Sequence, residues 1–396
     1  MNKINFFPNN LDVESKRIIL RLDLNVPLKD KIIKDYTKID LCFPFIKRLV
    51  EKKAKIIIIS HLGRPKKSKD PALSLMPIYK YIKKTLQTNV YFFMGNFDDK
   101  VKDKFSHLKE TEILLIENIR YYKEEIENDD NFSKKLGSLG DIYINDAFSC
   151  SHRKQASIHQ ITKYVNNSFG GPLLKKEIDA IDQVIRNRKE PVTCIIGGSK
   201  ISTKISIISN LIKKVNNLII VGAMANNFFV YNNYKVGNSL VENDVKEIIQ
   251  EIYKKAKENN CEIMIPKDCL VGNSFEGEGR NKDLDKIEEN EIILDIGSVT
   301  ISDIKKKIDE SNTVLWNGPA GYFENENFSN GTNSIAKVIS KNTLEKSLIS
   351  VIGGGDTLSA INKSKNKLSF SHLSTAGGAF LEYLEGKDLP GLSVLK

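Results

Sequence analysis

The sequence predicts an α/β protein of two doubly wound, Rossmann-like lobes with parallel sheets, joined by a hinge helix. Three observations lead there. Short apolar runs alternate with amphipathic stretches of helical period along most of the chain, a pattern that implies parallel strands and right-handed crossovers. The length of 396 residues exceeds what a single hydrophobic core usually serves. Between two such series lies "SFGGPLLKKEIDAIDQVI", residues 168–185, where Gly-Gly-Pro opens a long helical pattern. The lobes are expected over 1–170 and 187–380, with 171–186 linking them.

In the first half the strands are read at "RIILRLDLN" (17–25), "KIIIIS" (55–60), "VYFFMG" (90–95), "EILLIEN" (112–118) and "DIYIND" (141–146). The four isoleucines at 56–59 suit a sheet covered on both faces, because β-branched side chains crowd a helix. "DLCFPFIKRLVEKK" spaces its apolar residues near 3.6 and reads as a helix packed on one face. In the second half the strands are read at "VTCIIGG", "NLIIVG", "CEIMIP", "EIILDIG", "TVLWNGP" and "SLISVIGGG", as one further alternating series.

Composition narrows the function. The five cysteines form no CxxC and no metal-ligand spacing, which suits reduced structural thiols in a cytoplasmic protein. The start "MNKINFFPNN" has no secretory apolar stretch, and no run approaches a membrane span. The net charge of +10 fits nucleic acid or small anionic substrates. Much of it is Lys among Ile and Asn, as in "LIKKVNN", and no aromatic-plus-basic motif accompanies it, so no nucleic-acid partner is expected.

Ligands of doubly wound sheets bind beyond the carboxyl ends of the strands. In the first half those ends carry Arg21, Asp23 and Asn25, then His61 and Arg64, then Arg120, then His152 and Arg153, with Lys38 opening the helix after the first strand. Convergent guanidinium forks match phosphate or carboxylate. The second half ends its strands in glycine: "IIGGSKISTK", "IIVGAMA", "LWNGPAGYFE" and "VIGGGDTLSA". Such turns let backbone N–H groups approach phosphates. Asp356 offers an oxygen of the kind Mg²⁺ takes, and Thr357 a hydroxyl for a phosphate. Lys200 and Lys204, four apart, are read as sharing one helical face. Neither GxGxxG nor GxxxxGK[ST] is present. Trp316 is expected in the core.

At these residues the chain resembles the phosphoglycerate kinase family. "RLDLNVPL", "SHLGRP", "LLIENIRY", "INDAFSCSHR", "GPLLKKEI", "GGSKISTKI", "LWNGPAGYFE", "IGGGDT" and "FSHLSTAGGAFLEYLEGKDLPG" occur in that family's order across nearly the whole chain. The resemblance implies a cytoplasmic monomer that moves a phosphoryl group from 1,3-bisphosphoglycerate to Mg-ADP by closing a hinge, giving 3-phosphoglycerate and ATP. It implies that Asp23, Asn25, Lys38, His61, Arg64, Arg120 and Arg153 hold the triose, with Arg21 orienting Asp23. It assigns the nucleotide to Gly197, Gly198, Lys200, Lys204, Gly222, Ile293, Asn317, Glu324, Gly353, Gly354, Gly355, Asp356 and Thr357, with Asp356 on magnesium. Lys38, Lys200, Lys204, Gly354 and Gly377 would be the catalytic groups. Residues 381–396 would return to pack on the first lobe.

Several positions depart from the family pattern. Lys38 stands where Arg is usual, keeping the charge but losing the bidentate fork. Ala223 and Ile293 replace glycines and would press toward the adenine face. Ser149 and Ala376 also replace glycines, and Ala376 would be strained if it had to take a positive φ. These departures feed a second reading, a catalytically weakened relative acting as a binding or regulatory protein. If Lys38 limits turnover, Lys38→Arg raises kcat several-fold with substrate binding little changed; steady-state kinetics showing no gain would remove the idea.

Overall fold

The computed structural model describes residues 4–66, 69–98, 101–364 and 367–396, apart from the side chain of Lys104. The chain divides into two compact units, one running to Glu177 and including Asp388–Lys396, the other Ile178–Lys387.

The first unit is built on a parallel sheet of six strands: β1 (Arg17–Leu22), β2 (Lys55–Ile59), β3 (Val90–Phe93), β4 (Ile113–Ile116), β5 (Ile142–Asp146) and β6 (Asn167–Gly170). Their order is β3-β4-β2-β1-β5-β6. The chain leaves β1 toward β2 on one side and later comes back to β5 on the other, so the winding reverses between β1 and β5. Ile56, Ile57, Ile58 and Ile59 are fully buried, as a strand covered by helices on both faces requires. Helix α1 (Phe43–Glu51) turns Phe43, Phe45, Ile46 and Leu49 inward. β5 ends at Asp146, whose Oδ1 accepts from Leu174 N–H at 2.9 Å in the first turn of α2 (Pro172–Ile185). Burial pushes the Asp146 carboxyl up to about 7 against that bond.

The second unit repeats the plan. Its parallel strands are β7 (Val192–Ile196), β8 (Asn217–Ile220), β9 (Glu262–Met264), β13 (Thr313–Asn317), β14 (Ile349–Gly353) and β15 (His372–Ser374). They are ordered β9-β8-β7-β13-β14-β15, with the reversal between β7 and β13. Trp316 is fully buried, and its Nε1–H donates to Gly318 C=O at 2.7 Å.

The structure differs from the sequence reading in three places. The "EIILDIG" run does not join the parallel series: Ile292–Ile296 (β12) pairs antiparallel with Asp268–Gly272 (β10), which also pairs with Arg280–Asp283 (β11). Strands β6 and β15 were not foreseen; each is short and carries Ser, Asn or His, which the apolar-run criterion passes over. Residues 381–387 stay with the second unit, and the segment belonging to the first begins at Asp388. There Gly391 N–H donates to Ser151 C=O at 2.8 Å. Among the described residues no helix is long and apolar enough to cross a membrane. The five cysteines are free and buried.

Trp316→Ala is expected to destabilise the chain by about 3–5 kcal/mol, read as a lower midpoint in denaturant unfolding followed by circular dichroism.

Candidate active site

In the first unit the functional side chains gather where the winding reverses. Asp23 follows β1, and Ser149 follows β5. Asp23 Oδ1 accepts from Asn25 N–H at 3.1 Å, while Oδ2 accepts from Lys38 Nζ at 2.7 Å and from Ser149 Oγ at 2.6 Å. Burial opposes ionisation of Asp23. The nearby Lys38 charge and the hydrogen bonds donated by Lys38 and Ser149 outweigh it and hold the carboxyl well below its usual range. Lys38 lies on the helical turn Thr37–Asp40, which delivers its ammonium back to the strand exit.

His61 leaves β2 almost fully buried. Its Nδ1 lies 3.3 Å from Arg21 Nη2. A guanidinium only donates, so Nδ1 accepts and Nε2 carries the proton. Burial first, then the Arg21 cation, depress the His61 pKa well below its ordinary value, so the ring is neutral. Arg21 itself does not orient Asp23. It is fully buried and bonds Ser157 Oγ at 3.0 Å, Leu22 C=O at 2.5 Å and His61. The expected Arg21–Asp23 pair is replaced by an Arg21–His61 pair.

Arg120 follows β4 on a 3₁₀ turn, Ile119–Tyr121. Its Nη1 donates to Gly63 C=O at 2.7 Å, and Gly63 N–H donates to Asn25 Oδ1 at 2.9 Å. Burial, with Arg21 and Arg153 nearby, lowers its pKa to about 10 despite the Cys150 thiol beside it. The guanidinium remains charged at neutral pH. Among the described residues, Arg64 and Arg153 have no side-chain ion pair or hydrogen bond, and Arg153 is half-buried. Asn25 and Arg120 thus grip the turn at Gly63 that His61 and Arg64 flank, and Arg153 and the buried carboxylate Glu125 lie near Arg120. Sequence reasoning passed over Asn118, which fixes this turn by bonding Leu62 on both sides of its peptide and Arg120 N–H. A fully buried polar residue at the exit of β4 is the signal that marks it.

In the second unit the exits of β8, β7, β13 and β14 lock together through their backbones. Gly197 N–H donates to Asn317 C=O at 2.8 Å, Gly222 N–H to Ala320 C=O at 3.1 Å, and Met224 N–H to Gly198 C=O at 2.9 Å. A Cβ on Gly222, at φ +70°, would stand 2.9 Å from Gly198 N. One on Gly354, at φ +101°, would stand 2.5 Å from Asn317 Nδ2. Only glycine permits both the turn and the approach. Gly353 ends β14, and Gly355 opens helix α3 (Gly355–Lys363). Gly377 follows the neighbouring strand β15, immediately before the helix Gly378–Leu384.

Lys204 Nζ is held by Gly197 C=O at 2.5 Å and Asn317 Oδ1 at 2.8 Å. Burial lowers its pKa to about 8. Asn317 therefore anchors Lys204, and its Nδ2 also donates to Gly353 C=O at 2.8 Å. Lys200 and Lys204 do not share a helical face. Lys200 is exposed in the loop, and Lys204 closes the 3₁₀ turn Ser202–Lys204 ahead of the helix Ile205–Leu211. The Thr357 hydroxyl is not free for phosphate either: it accepts from Gly318 N–H at 2.7 Å and donates to Gly353 C=O at 3.1 Å, fully buried.

Beside these turns lies a cavity of about 450 Å³ whose lining includes Gly198, Gly222, Ala223, Ile293, Glu324 and Asp356. Ala223 and Ile293, which stand where the family has glycine, are among its lining residues. Ala376 is not among the described residues with positive φ, so the expected strain is absent. Asp356 stands in the first turn of α3 with no protein partner for its carboxylate among the described residues. No group of three or more His, Cys, Asp or Glu residues able to hold a metal is found among them.

The comparisons with known proteins agree over nearly the whole chain. The family model for phosphoglycerate kinase matches residues 9–387. The phosphoglycerate kinase of Wolbachia pipientis wMel is 43% identical over 389 residues, covering 98% of this chain and 97% of its own. That of Wolbachia pipientis subsp. Culex pipiens is 45% identical over 383 residues, covering 96% of each. The solved phosphoglycerate kinase of Coxiella burnetii superposes with a TM-score of 0.89 at 37% identity, covering 98% and 97%. That of Pyrococcus horikoshii OT3 gives 0.80 at 26% identity, covering 98% of both chains.

The geometry ranks the supports of Asp23. Lys38→Met, which strips a partly buried carboxylate of its cation, is expected to cost about 2 kcal/mol of stability, and Ser149→Ala about 1 kcal/mol. Urea unfolding of the two variants at neutral pH checks the ranking.

Proposed function

This chain belongs to the phosphoglycerate kinase family, phosphotransferases with a carboxyl acceptor, and from that premise we propose how its own residues divide the work. The observation that carries the reading is the excess of cations without carboxylate partners: Arg64, Arg120 and Arg153 in one unit, Lys200 and Lys204 in the other.

The reaction exchanges a phosphoryl group between an acyl phosphate and ADP. The acceptor in reverse is a carboxylate, already ionised, so no general base is needed. What the chemistry asks for is in-line placement and neutralisation of the equatorial oxygens. Asn25, Arg64, Arg120 and Arg153 bind the anionic groups of the triose, and neutral His61 donates through Nε2–H. Asp23, held ionised, accepts from Lys38 and so aims that ammonium at the group in transfer. Arg21 acts behind His61 as a positioning residue.

On the nucleotide side Lys204 and the N–H groups of Gly354 and Gly355 meet the phosphates, with Gly197, Gly198 and Gly353 shaping the turns. Thr357 contributes through the loop it ties, and Asn317 through Lys204. Gly222 and Ile293 border the base, and Glu324 takes the ribose hydroxyls. Lys200 and Gly377 follow the phosphoryl group between substrates. The Asp356 carboxylate fits a Mg²⁺ that arrives with the nucleotide, since this ion prefers one or two carboxylates plus phosphates and water to an all-protein cage. Bound there, the ion would neutralise phosphate charge. Motion about Pro172–Ile185 would align the substrates and exclude water from the acyl phosphate. The working form we propose is a cytoplasmic monomer acting on small molecules, without nucleic acid or membrane.

No observation favours the weakened, regulatory reading, and the chain carries Asp23, Arg64, Arg120, Arg153, Lys200, Lys204, Glu324 and Asp356 for the chemistry. A coupled assay with ATP, Mg²⁺ and 3-phosphoglycerate tests the proposal, and absence of turnover would overturn it. Arg153→Ala is expected to raise KM for 3-phosphoglycerate by roughly tenfold or more, the worth of one charge-assisted hydrogen bond, with KM for ATP nearly unchanged.

A further inference from the structure

The loop that carries Lys200 is held by a carboxylate that the chemistry above does not use. Glu242 Oε2 accepts from Ile201 N–H at 2.5 Å and Ser202 N–H at 3.2 Å, and its Oε1 accepts from Ser202 Oγ. These amides directly follow Lys200, at the start of the 3₁₀ turn that ends in Lys204. Ile201 is fully buried while Lys200 and Ser202 are exposed, and the carboxylate supplies three hydrogen bonds to this stretch.

Glu242 is itself fixed from the nucleotide side. Its backbone N–H donates to Asn227 Oδ1 at 2.8 Å, and Asn226 Nδ2 donates to Leu240 C=O at 3.0 Å. Asn226 and Asn227 are buried on the helix Ala225–Tyr231, which starts directly after the turn of Gly222 and Ala223. Asn238, Leu240 and Asn226 also line the 450 Å³ cavity. One short segment therefore touches the base side of the cavity and the loop of the travelling cation.

We propose that Glu242 is a positioning residue for phosphoryl transfer, a latch that sets the place of Lys200 and ties it to the segment lining the nucleotide cavity. The proposal rests on the reading that Lys200 follows the phosphoryl group. Neither Ile201 nor Ser202 needs Glu242 for the fold of the sheet, since both lie beyond the last residue of β7. Binding of nucleotide and placement of Lys200 are separable in consequence. Removal of the latch lowers kcat and leaves nucleotide affinity mostly intact.

Four variants of the full chain test this: Glu242→Ala, Glu242→Gln, Lys200→Ala and the double variant Glu242→Ala/Lys200→Ala. Glu242→Ala is expected to lose roughly tenfold in kcat, the worth of one misplaced charge contact, with KM for ADP within about threefold and the fold retained, read as a cooperative unfolding transition well above the assay temperature. Glu242→Gln, which keeps an acceptor, is expected to recover part of the loss. The double variant is expected to be no slower than Lys200→Ala alone. Full additivity of the two losses, or a Glu242→Ala enzyme with wild-type kcat, would overturn the proposal. A Lys200→Ala enzyme with wild-type kcat would instead overturn the role given to Lys200. Amide exchange at Ile201 and Ser202, slow in the wild type and fast in Glu242→Ala, reports the latch independently of activity; equal rates in the two would overturn it.

Discussion

Positive charge held out of water without enough negative charge beside it is the constraint on which this molecule depends. Arg120 and Lys204 are largely buried, and burial pulls both pKa values down, to about 10 and about 8. Their protein partners are neutral oxygens: Gly63 C=O for one, Gly197 C=O and the Asn317 amide for the other. Neutral acceptors orient a cation without cancelling it. A multiply charged phosphate relieves the desolvation that the fold imposes, so binding energy comes from a cost already incurred on folding.

The parallel sheets make that cost tolerable. In each sheet the winding reverses at the central pair of strands, β1 and β5 in one, β7 and β13 in the other, and the loops leaving that pair diverge to open a crevice. Some side chains at those exits, Asp23 and Lys204 among them, are held by hydrogen bonds from neighbouring elements before any ligand arrives. The Asp23–Lys38–Ser149 cluster and the Lys204–Asn317 pair are the two products. Asp23 stays ionised because two donors and a backbone amide surround it. His61 stays neutral because it is buried and because Arg21 stands at its Nδ1. Each protonation state is set by the neighbours that the sheet order supplies.

The sequence made much of this legible. Runs such as Ile56–Ile59 announce buried strands by composition alone, and glycine at successive strand exits announces backbone-lined turns. Other features were hidden for physical reasons. Arg21 looked like a ligand because a strand covered on both faces gives no alternation to say which way residue 21 points; it points inward, to Ser157 and His61. The Thr357 hydroxyl looked available because nothing local shows that Gly318 will fold back onto it. The Ile292–Ile296 run resembled the parallel strands around it, since an antiparallel partner twenty or more residues away leaves the same apolar signature. Glu242 lies far along the chain from the loop it holds, and no spacing rule connects them.

Calorimetric titration of ADP with Mg²⁺ at pH 8, in buffers of different ionisation enthalpy, tests the central claim most directly. If Lys204 is a buried cation waiting for a phosphate, binding raises its depressed pKa, and the complex takes up protons from the buffer at that pH. Heats that do not vary with the buffer would mean that Lys204 is equally protonated with and without nucleotide, and the account of a cation strained by burial and relieved by phosphate would be contradicted.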